Sequence, residues 1–584
     1  MLRLRRRIKG MMGLVLALMA LYAVACGSAA SPTAAPTTGA PVAIPTSAPL
    51  QLAATPAPTP IPVDVVNPGK VAVMVGGFAN ESFLPRYCQG ECHAYGRLVH
   101  GYFATTTHQG GVIPSAYESW KLSADGTVWT FKLRKGIKFH NGETATIEDA
   151  LFSDQRSLSD SEIPRRATPT QLTEGRQVAK TEITGPDELT ITYKNPWAGS
   201  AVFRSDGHAG NLRLNLLPRK LLGEPYAETE PAYEKLPIGA GPFKMLSRSP
   251  AQSMSFERFE DYYYQPKYGA PEDRRPRFKF LDLLMVPELS TRVAALRAGQ
   301  ADLIEAAEAV KGQITGGGGK LIYAQESSYV AAMLLGCWRP ELRCSDVRVR
   351  QALDFAIDRQ TIVKTLYTPE SYAMAGWNFV TPTSLGWSKE LSPTGFDPNK
   401  ARELLKSAGY KVPGTSAGKE YGPLILNAWN AGDPPFMPDM AQLIAENWKK
   451  ELGIDAQVSV TDRTLITQRW IAQELVDQVR METNEARWDG STIGQSRYND
   501  VKNAQRLSED PVLQAAAREA FNVVAPEGRS AALNKLYIRL QQEYYALPMG
   551  HSNLPWGASK RIADWKPWPV AAFFNAHWTI RLAQ

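Results

Sequence analysis

Cys88-Gln89-Gly90-Glu91-Cys92-His93 is the densest grouping of metal-capable side chains in this sequence: two thiols and an imidazole within one short run. Such a set could ligate zinc, and it is one residue longer than the usual c-type haem attachment spacing. No fourth ligand stands nearby, and an oxidising compartment would turn the same two cysteines into a disulfide, so both readings stay open. Cys337 and Cys344 flank a six-residue loop between an apolar run and a helix start, and a local disulfide is the plain expectation there. Other catalytic groupings are missing. There is no Gly-x-Ser-x-Gly elbow and no His-Glu-x-x-His pair. Gly316 to Gly319 followed by Lys320 imitates a phosphate loop, but Ile314 falls where its first glycine belongs and Leu321 replaces the hydroxyl for magnesium, so we expect a flexible surface loop. Glu148-Asp149 after Thr146 reads as helix capping rather than paired acid chemistry.

The elements that would carry these residues alternate in type. Val71 to Val75, Thr127 to Leu133, Leu189 to Tyr193 and Tyr329 to Leu335 read as strands; in the second of these Val128, Thr130 and Lys132 face away from Trp129, Phe131 and Leu133. A helix is predicted after Asp397 as N-cap and Pro398 as first helical residue, with Ala401, Leu404, Leu405 and Ala408 on one face before Gly409. Val349, Leu353, Ala356 and Ile357 repeat the pattern after Ser345, and Leu533, Leu536, Tyr537, Leu540 and Tyr544 do so again. Mixed order without internal repeats predicts an α/β architecture, and 584 residues suffice for two or more lobes. Fourteen tryptophans, among them Trp377, Trp387, Trp429, Trp488 and Trp556 in loops or at element ends, suit a cleft that stacks on a solute; each alone is equally a core residue.

The net charge of +7 invites a nucleic-acid reading, but Arg3, Arg5, Arg6, Arg7 and Lys9 supply five of those charges, and no nucleic-acid partner is expected. Those residues precede the uncharged apolar run Met11 to Ala25, which is an export signal in form and too short for a confident membrane span. Ala23-Val24-Ala25-Cys26-Gly27-Ser28 resembles a bacterial lipoprotein box, so residues 1-25 would be removed and Cys26 lipidated; Ala23 stands where that pattern usually has Leu, which leaves ordinary signal cleavage as the alternative. Ser31 to Pro62, rich in Ser, Thr, Ala and Pro, reads as an extended stalk, 26-63, or as an unordered tail without a spacing role.

Four stretches then identify a family. Pro114-Ser115-Ala116-Tyr117-Glu118-Ser119-Trp120 leads through Asp125-Gly126 to Arg134-Lys135-Gly136-Ile137-Lys138-Phe139-His140-Asn141-Gly142-Glu143. Pro237-Ile238-Gly239-Ala240-Gly241-Pro242-Phe243-Lys244 is the second, Asp346-Val347-Arg348-Val349-Arg350-Gln351-Ala352-Leu353 with Ala356-Ile357-Asp358-Arg359 the third, and Lys400-Ala401-Arg402 with Ala408-Gly409-Tyr410 the fourth. Together they resemble family 5 extracellular solute-binding proteins, the peptide and nickel receptors of ABC importers. The resemblance implies a two-lobed periplasmic-binding-protein fold of the large oligopeptide-binding type: a first lobe from 64-105, 232-324 and 551-584, an inserted subdomain 106-231, and a second lobe 325-550. It implies no reaction; no cofactor is expected, and a nickel receptor would need a histidine cluster or a bound chelator, for which the scattered histidines offer no site. With the Cys26 box, a lipid-anchored monomer at the outer face of the cytoplasmic membrane or in the periplasm is expected. An oligopeptide would be captured between closing lobes and handed to a permease with its ATPases; an oligosaccharide or another solute is the alternative, and a metal or haem protein through Cys88, Cys92 and His93 the more distant one. In oligopeptide-binding relatives a second-lobe strand carries an Arg, a Trp and an Asp that pairs with the peptide ammonium. Arg480 falls at the first position, whereas Thr483 and Ala486 occupy the other two, so Glu482, Glu485 or Asp489 would have to supply the lost carboxylate. The ligand-binding residues expected are therefore Arg480, Glu482, Glu485, Trp429, Trp488 and His551, with Arg480 and at least one of Glu482 or Glu485 facing the cleft.

Overall fold

The computed structural model describes residues 69–78, 81–84, 92–106, 112–160, 178–205, 214–272, 274–431, 434–486, 488–490, 497–498, 505–523, 526–567 and 577–583. Cys26, Cys88 and the side chains of Cys92 and His93 lie outside the described residues, as do the leader and the Pro-rich stretch.

Ten strands carry the fold: β1 (Lys70–Val75), β2 (Phe243–Ser249), β3 (Ser253–Arg258), β4 (Phe280–Met285), β5 (Leu303–Glu305), β6 (Lys320–Leu334), β7 (Leu424–Ala428), β8 (Ala456–Val460), β9 (Val479–Glu485) and β10 (Ala546–Ala558). They form one sheet in the order β2-β3-β4-β1-β5-β10-β6-β9-β7-β8, with the short strand Tyr372–Ala373 added on β10. β1 is parallel to β4 and β5, and β7 is parallel to β8 and β9, so each half has the parallel centre that helical crossovers produce.

β6 and β10 join the halves. Their near ends pair with each other from Lys320↔Ala558 to Ala324↔Leu554, where β10 also pairs β5. Their far ends pair again from Ser328↔Ser552 onward, where β6 also pairs β9. Between the two paired stretches β6 runs through Gln325, Glu326 and Ser327 while β10 has only Asn553. That bulge puts Glu326 at φ 54°, a left-handed conformation uncommon for a residue with a side chain. Separate cores lie on either side of it. Val71, Val73, Phe256, Leu281, Leu303 and Trp556 belong to the first lobe, and Val330, Leu353, Leu426, Trp448, Met481 and Leu547 to the second.

The inserted subdomain has its own antiparallel sheet, in the order Tyr117–Leu122, Val128–Leu133, Glu188–Tyr193, Val178–Gly185. Trp129, Phe131 and Leu133 are buried while Val128, Thr130 and Lys132 are half-exposed, as their alternation requires. Its core also recruits Ala240, Tyr263, Tyr264 and Ala270 from beyond residue 231.

The family motifs are structural joints. A Cβ on Gly239 would lie 2.1 Å from the Val99 carbonyl oxygen, and one on Gly241 2.6 Å from that of Leu98, so the second motif is where the chain passes against the end of helix Cys92–Val99. In the third, the buried Arg350 donates to the Cys344 and Ser345 carbonyls, and Arg359 donates to Asp354 and to the Pro548 carbonyl of β10. Asp397 caps helix Pro398–Ser407 through the Lys400 N–H, and Asp149 accepts from Thr146 at the start of helix Ile147–Asp160. Three expectations shift. Asp346, not Ser345, caps helix Val347–Phe355. Helix Pro526–Gln542 stops before Tyr544, which sits at φ 53°. Gly319 belongs to no loose loop, since a Cβ there would lie 2.8 Å from the Ala558 carbonyl at the start of β6.

Candidate functional site

In open α/β sheets, ligands bind beyond the carboxyl ends of parallel strands, where crossovers leave a crevice. Here the two lobes direct those ends at one region. β5 ends at Glu305, opposite Trp556, just before the crossing, and β9 ends at Glu485, opposite Ser328, just after it. Directly after the end of β5 lies a cavity of about 320 Å³. Residues 306–309 from the first lobe, 365–368, Ser371 and 435–436 from the second, and 552–555 of β10 line it. A larger recess, about 640 Å³, is bordered by Arg359, Lys364, Met374 and Phe396 of the second lobe alone.

Beside the ends of β7, β8 and β9 the second lobe stacks cations on indoles. Trp429 follows β7 directly; Arg463 opens helix Arg463–Ile471 after β8, where Asp462 caps the helix through the Thr464 and Leu465 N–H groups. The Arg463 guanidinium lies 5.4 Å from the Trp429 ring and also donates to the Thr483 carbonyl at 3.3 Å. Arg480 lies 4.8 Å from both Trp429 and Trp470, and Arg497 lies 4.8 Å from Trp470. Arg480 and Glu482 form an ion pair with 2% and 1% of their surfaces exposed, and Arg497 approaches the same carboxylate at 3.8 Å. Burial, and then the Arg497 and Arg463 guanidiniums, push the Arg480 pKa well below the ordinary arginine range.

The expected residues therefore separate. The expectation set Arg480 and at least one of Glu482 or Glu485 on the cleft; Arg480 and Glu482 are buried and paired with each other, and neither lines the cavity described above. Trp429 is buried beside them, whereas Trp488 and Glu485 are half-buried at the end of β9. His551 is buried on β10, its Nδ1 3.0 Å from the Ala375 carbonyl; burial lowers its pKa, opposed by Glu326 and by that carbonyl. Trp377 and Trp556 are core side chains, and Trp387 is half-buried. Cys337 and Cys344 are joined in a disulfide with Cα atoms 5.0 Å apart. Among the described residues no group of three or more His, Cys, Asp or Glu is placed to hold a metal, and no helix is long and apolar enough to cross a membrane. Sequence reasoning missed Arg463, Arg497, Tyr367, Phe436 and Glu326. The only available signals were the Asp462 cap before Arg463 and the Pro434-Pro435 turn before Phe436.

The profile described as bacterial extracellular solute-binding proteins, family 5 Middle, matches residues 111–501. This chain belongs to family 5 of the bacterial extracellular solute-binding proteins. The family 5 chain is 27% identical to haem-binding protein A of Haemophilus influenzae over 61% of its own length and 62% of that protein. It is 24% identical to the nickel-binding periplasmic protein of Escherichia coli over 76% of itself and 82% of that protein, and 25% identical to the dipeptide-binding protein of the same organism over 62% and 65%. Among solved structures it resembles the ABC transporter substrate-binding protein CtaP of Listeria monocytogenes, with a TM-score of 0.73, 18% identity, and coverage of 88% of this chain and 99% of that one. It also resembles DppA of Helicobacter pylori in complex with the peptide STSA, with a TM-score of 0.68, 18% identity, and coverage of 88% and 98%. These relatives are substrate-binding receptors and not enzymes. Such structures fix the two-lobed fold of the family 5 chain.

Proposed function

We propose that this chain is the extracytoplasmic receptor of an ABC importer, capturing a short peptide between its lobes and delivering it to the permease and ATPase subunits. The observation that carries the reading is the cavity walled by both lobes and by the crossing strand β10, since a ligand there touches every part that closure moves. Peptide-binding relatives support the choice of solute. None of the expected site residues is among those that line this cavity; a role for Trp429, Trp488, Glu485 or His551 in holding the solute is part of the proposal, with the Arg480–Glu482 pair buried beside Trp429. The lobe boundaries near residues 324 and 550, the monomeric state and lipid anchoring through Cys26 are part of the same proposal. Thr483 and Ala486, which offer no carboxylate for a peptide ammonium, favour a second reading in which the solute lacks that group. Native mass spectrometry of protein purified without refolding tests the choice. A bound peptide of two to a few residues supports the first reading, and a non-peptide adduct of defined mass overturns it in favour of the second.

A further inference from the structure

We infer that the ligand presents an uncharged apolar group, an aliphatic or aromatic side chain, to the cavity between the lobes, with Phe436 and Tyr367 as its aromatic wall; this rests on the receptor reading above. The first ground is what the cavity withholds. Its polar side chains are already engaged inside the protein. Thr365 donates to the Thr361 carbonyl, Ser371 to the Thr368 carbonyl, and the Tyr367 hydroxyl to the Pro435 carbonyl. The Asn553 amide accepts from the Glu326 N–H and donates to the Glu370 carbonyl, and Ser552 donates to the Ser328 carbonyl. Glu308 is the one carboxylate among the lining residues, and it takes the Tyr323 hydroxyl at 2.5 Å and the Lys311 ammonium at 3.2 Å. The hydroxyls and the amide have thus spent donors inside the protein, and most of the remaining lining is Ala306, Ala307, Ala309, Leu366, Leu554 and Pro555, so a polar ligand group entering here would find fewer partners than in water, whereas an apolar one would leave water favourably.

The second ground is Phe436. It stands at φ 63°, the left-handed region that suits glycine or asparagine, immediately before helix Met437–Leu452, yet it is a large aromatic with 48% of its surface exposed. Its ring meets Tyr367 edge-on at 6.0 Å, and Tyr367 is stacked in turn on Tyr372 at 4.4 Å, so one side of the wall is braced and the other lines the cavity. A strained residue kept at a ligand-sized space marks a site where function sets the residue. At about 320 Å³ the cavity lies at the lower end of small-molecule sites, so it encloses one such group rather than a long chain.

The test uses the whole folded protein and two synthetic tripeptide pools, one built from Leu, Ile and Phe, the other from Ser, Lys and Glu. Calorimetry should find the apolar pool bound at least tenfold more tightly. Phe436→Asn should lose at least fivefold of that preference while its ligand-free melting temperature stays level or rises. Ala307→Phe, which fills the cavity, should lose it as well. Equal binding of the two pools overturns the inference and leaves the receptor reading standing. A lowered melting temperature in Phe436→Asn with the preference intact makes Phe436 a structural residue and removes the wall. If neither pool binds, the peptide reading falls. The apolar assignment is then decided by Nile red, whose fluorescence must rise with the wild type and not with Ala307→Phe.

Discussion

Replacing Arg480 with Ala should destabilise the second lobe strongly, because Glu482 would keep its charge inside the protein and lose its partner. Breaking a buried ion pair from one side costs about 3–5 kcal/mol. Arg497, 3.8 Å from the same carboxylate, compensates in part and sets the expectation at the lower end of that range. The contacts of Arg480 with Trp429 and Trp470 work the other way, since a desolvated cation over an indole contributes about 1–2 kcal/mol. The net expectation is a loss of about 3–4 kcal/mol. Glu482→Gln should cost at least as much, because Arg480 and Arg497 would then share no carboxylate while Arg497 and Arg463 still repel Arg480. The double variant Arg480→Met with Glu482→Met should recover most of the loss, as removing both partners removes the uncompensated charge. Guanidinium denaturation followed by tryptophan fluorescence measures all three, with Trp429 and Trp470 as local reporters. A loss under about 1 kcal/mol in Arg480→Ala, or a double variant no better than the singles, would refute the internal pairing.

Gly239→Ala should fail to fold or lose more than about 3 kcal/mol, because the new methyl would sit 2.1 Å from the Val99 carbonyl oxygen; limited proteolysis and denaturation check it, and a near-wild-type midpoint contradicts it. Reducing the Cys337–Cys344 disulfide should lower stability by about 2 kcal/mol for so short a loop, and free thiols on both residues in unreduced denatured protein would contradict the pairing. His100 is buried, and burial lowers its pKa to about 4. The unfolded chain therefore binds the proton first as pH falls from about 6.5, and stability should decline by about 3 kcal/mol between there and pH 4. His100→Gln should flatten that part of the unfolding profile, and an unchanged slope would remove His100 as its source. Cys26→Ser should release the protein from the membrane fraction, and persistent palmitate labelling would contradict lipidation at that residue.

Much of this architecture was legible because local rules and the fold agree. Trp129, Phe131 and Leu133 alternate with polar residues, and they form a half-buried strand. Asp397, Pro398 and Gly409 bracket a helix whose last residue, Ser407, stands two before that glycine. The glycines of the second motif mark a place where two backbones touch. What was hidden depends on long-range pairing. β6 runs to 15 residues, but only its second-lobe end was readable, because Gln325, Glu326 and Ser327 look like a loop and are a bulge held by Asn553 and Thr383. Arg480 was legible as a charge on a strand. Its partner two residues along the same strand face was not, since period-two spacing says which face a pair shares and nothing of what covers it. The cavity draws on four separate stretches of sequence, none of which carries a motif.

The central claim is that both lobes hold the ligand, and small-angle scattering on the folded protein with and without a saturating tripeptide pool tests it most directly. The account predicts a smaller radius of gyration with ligand, because a solute shared by two lobes favours their closed arrangement only through contacts that closure improves. Binding confirmed by calorimetry in the same sample, with a radius of gyration that does not change, would contradict it.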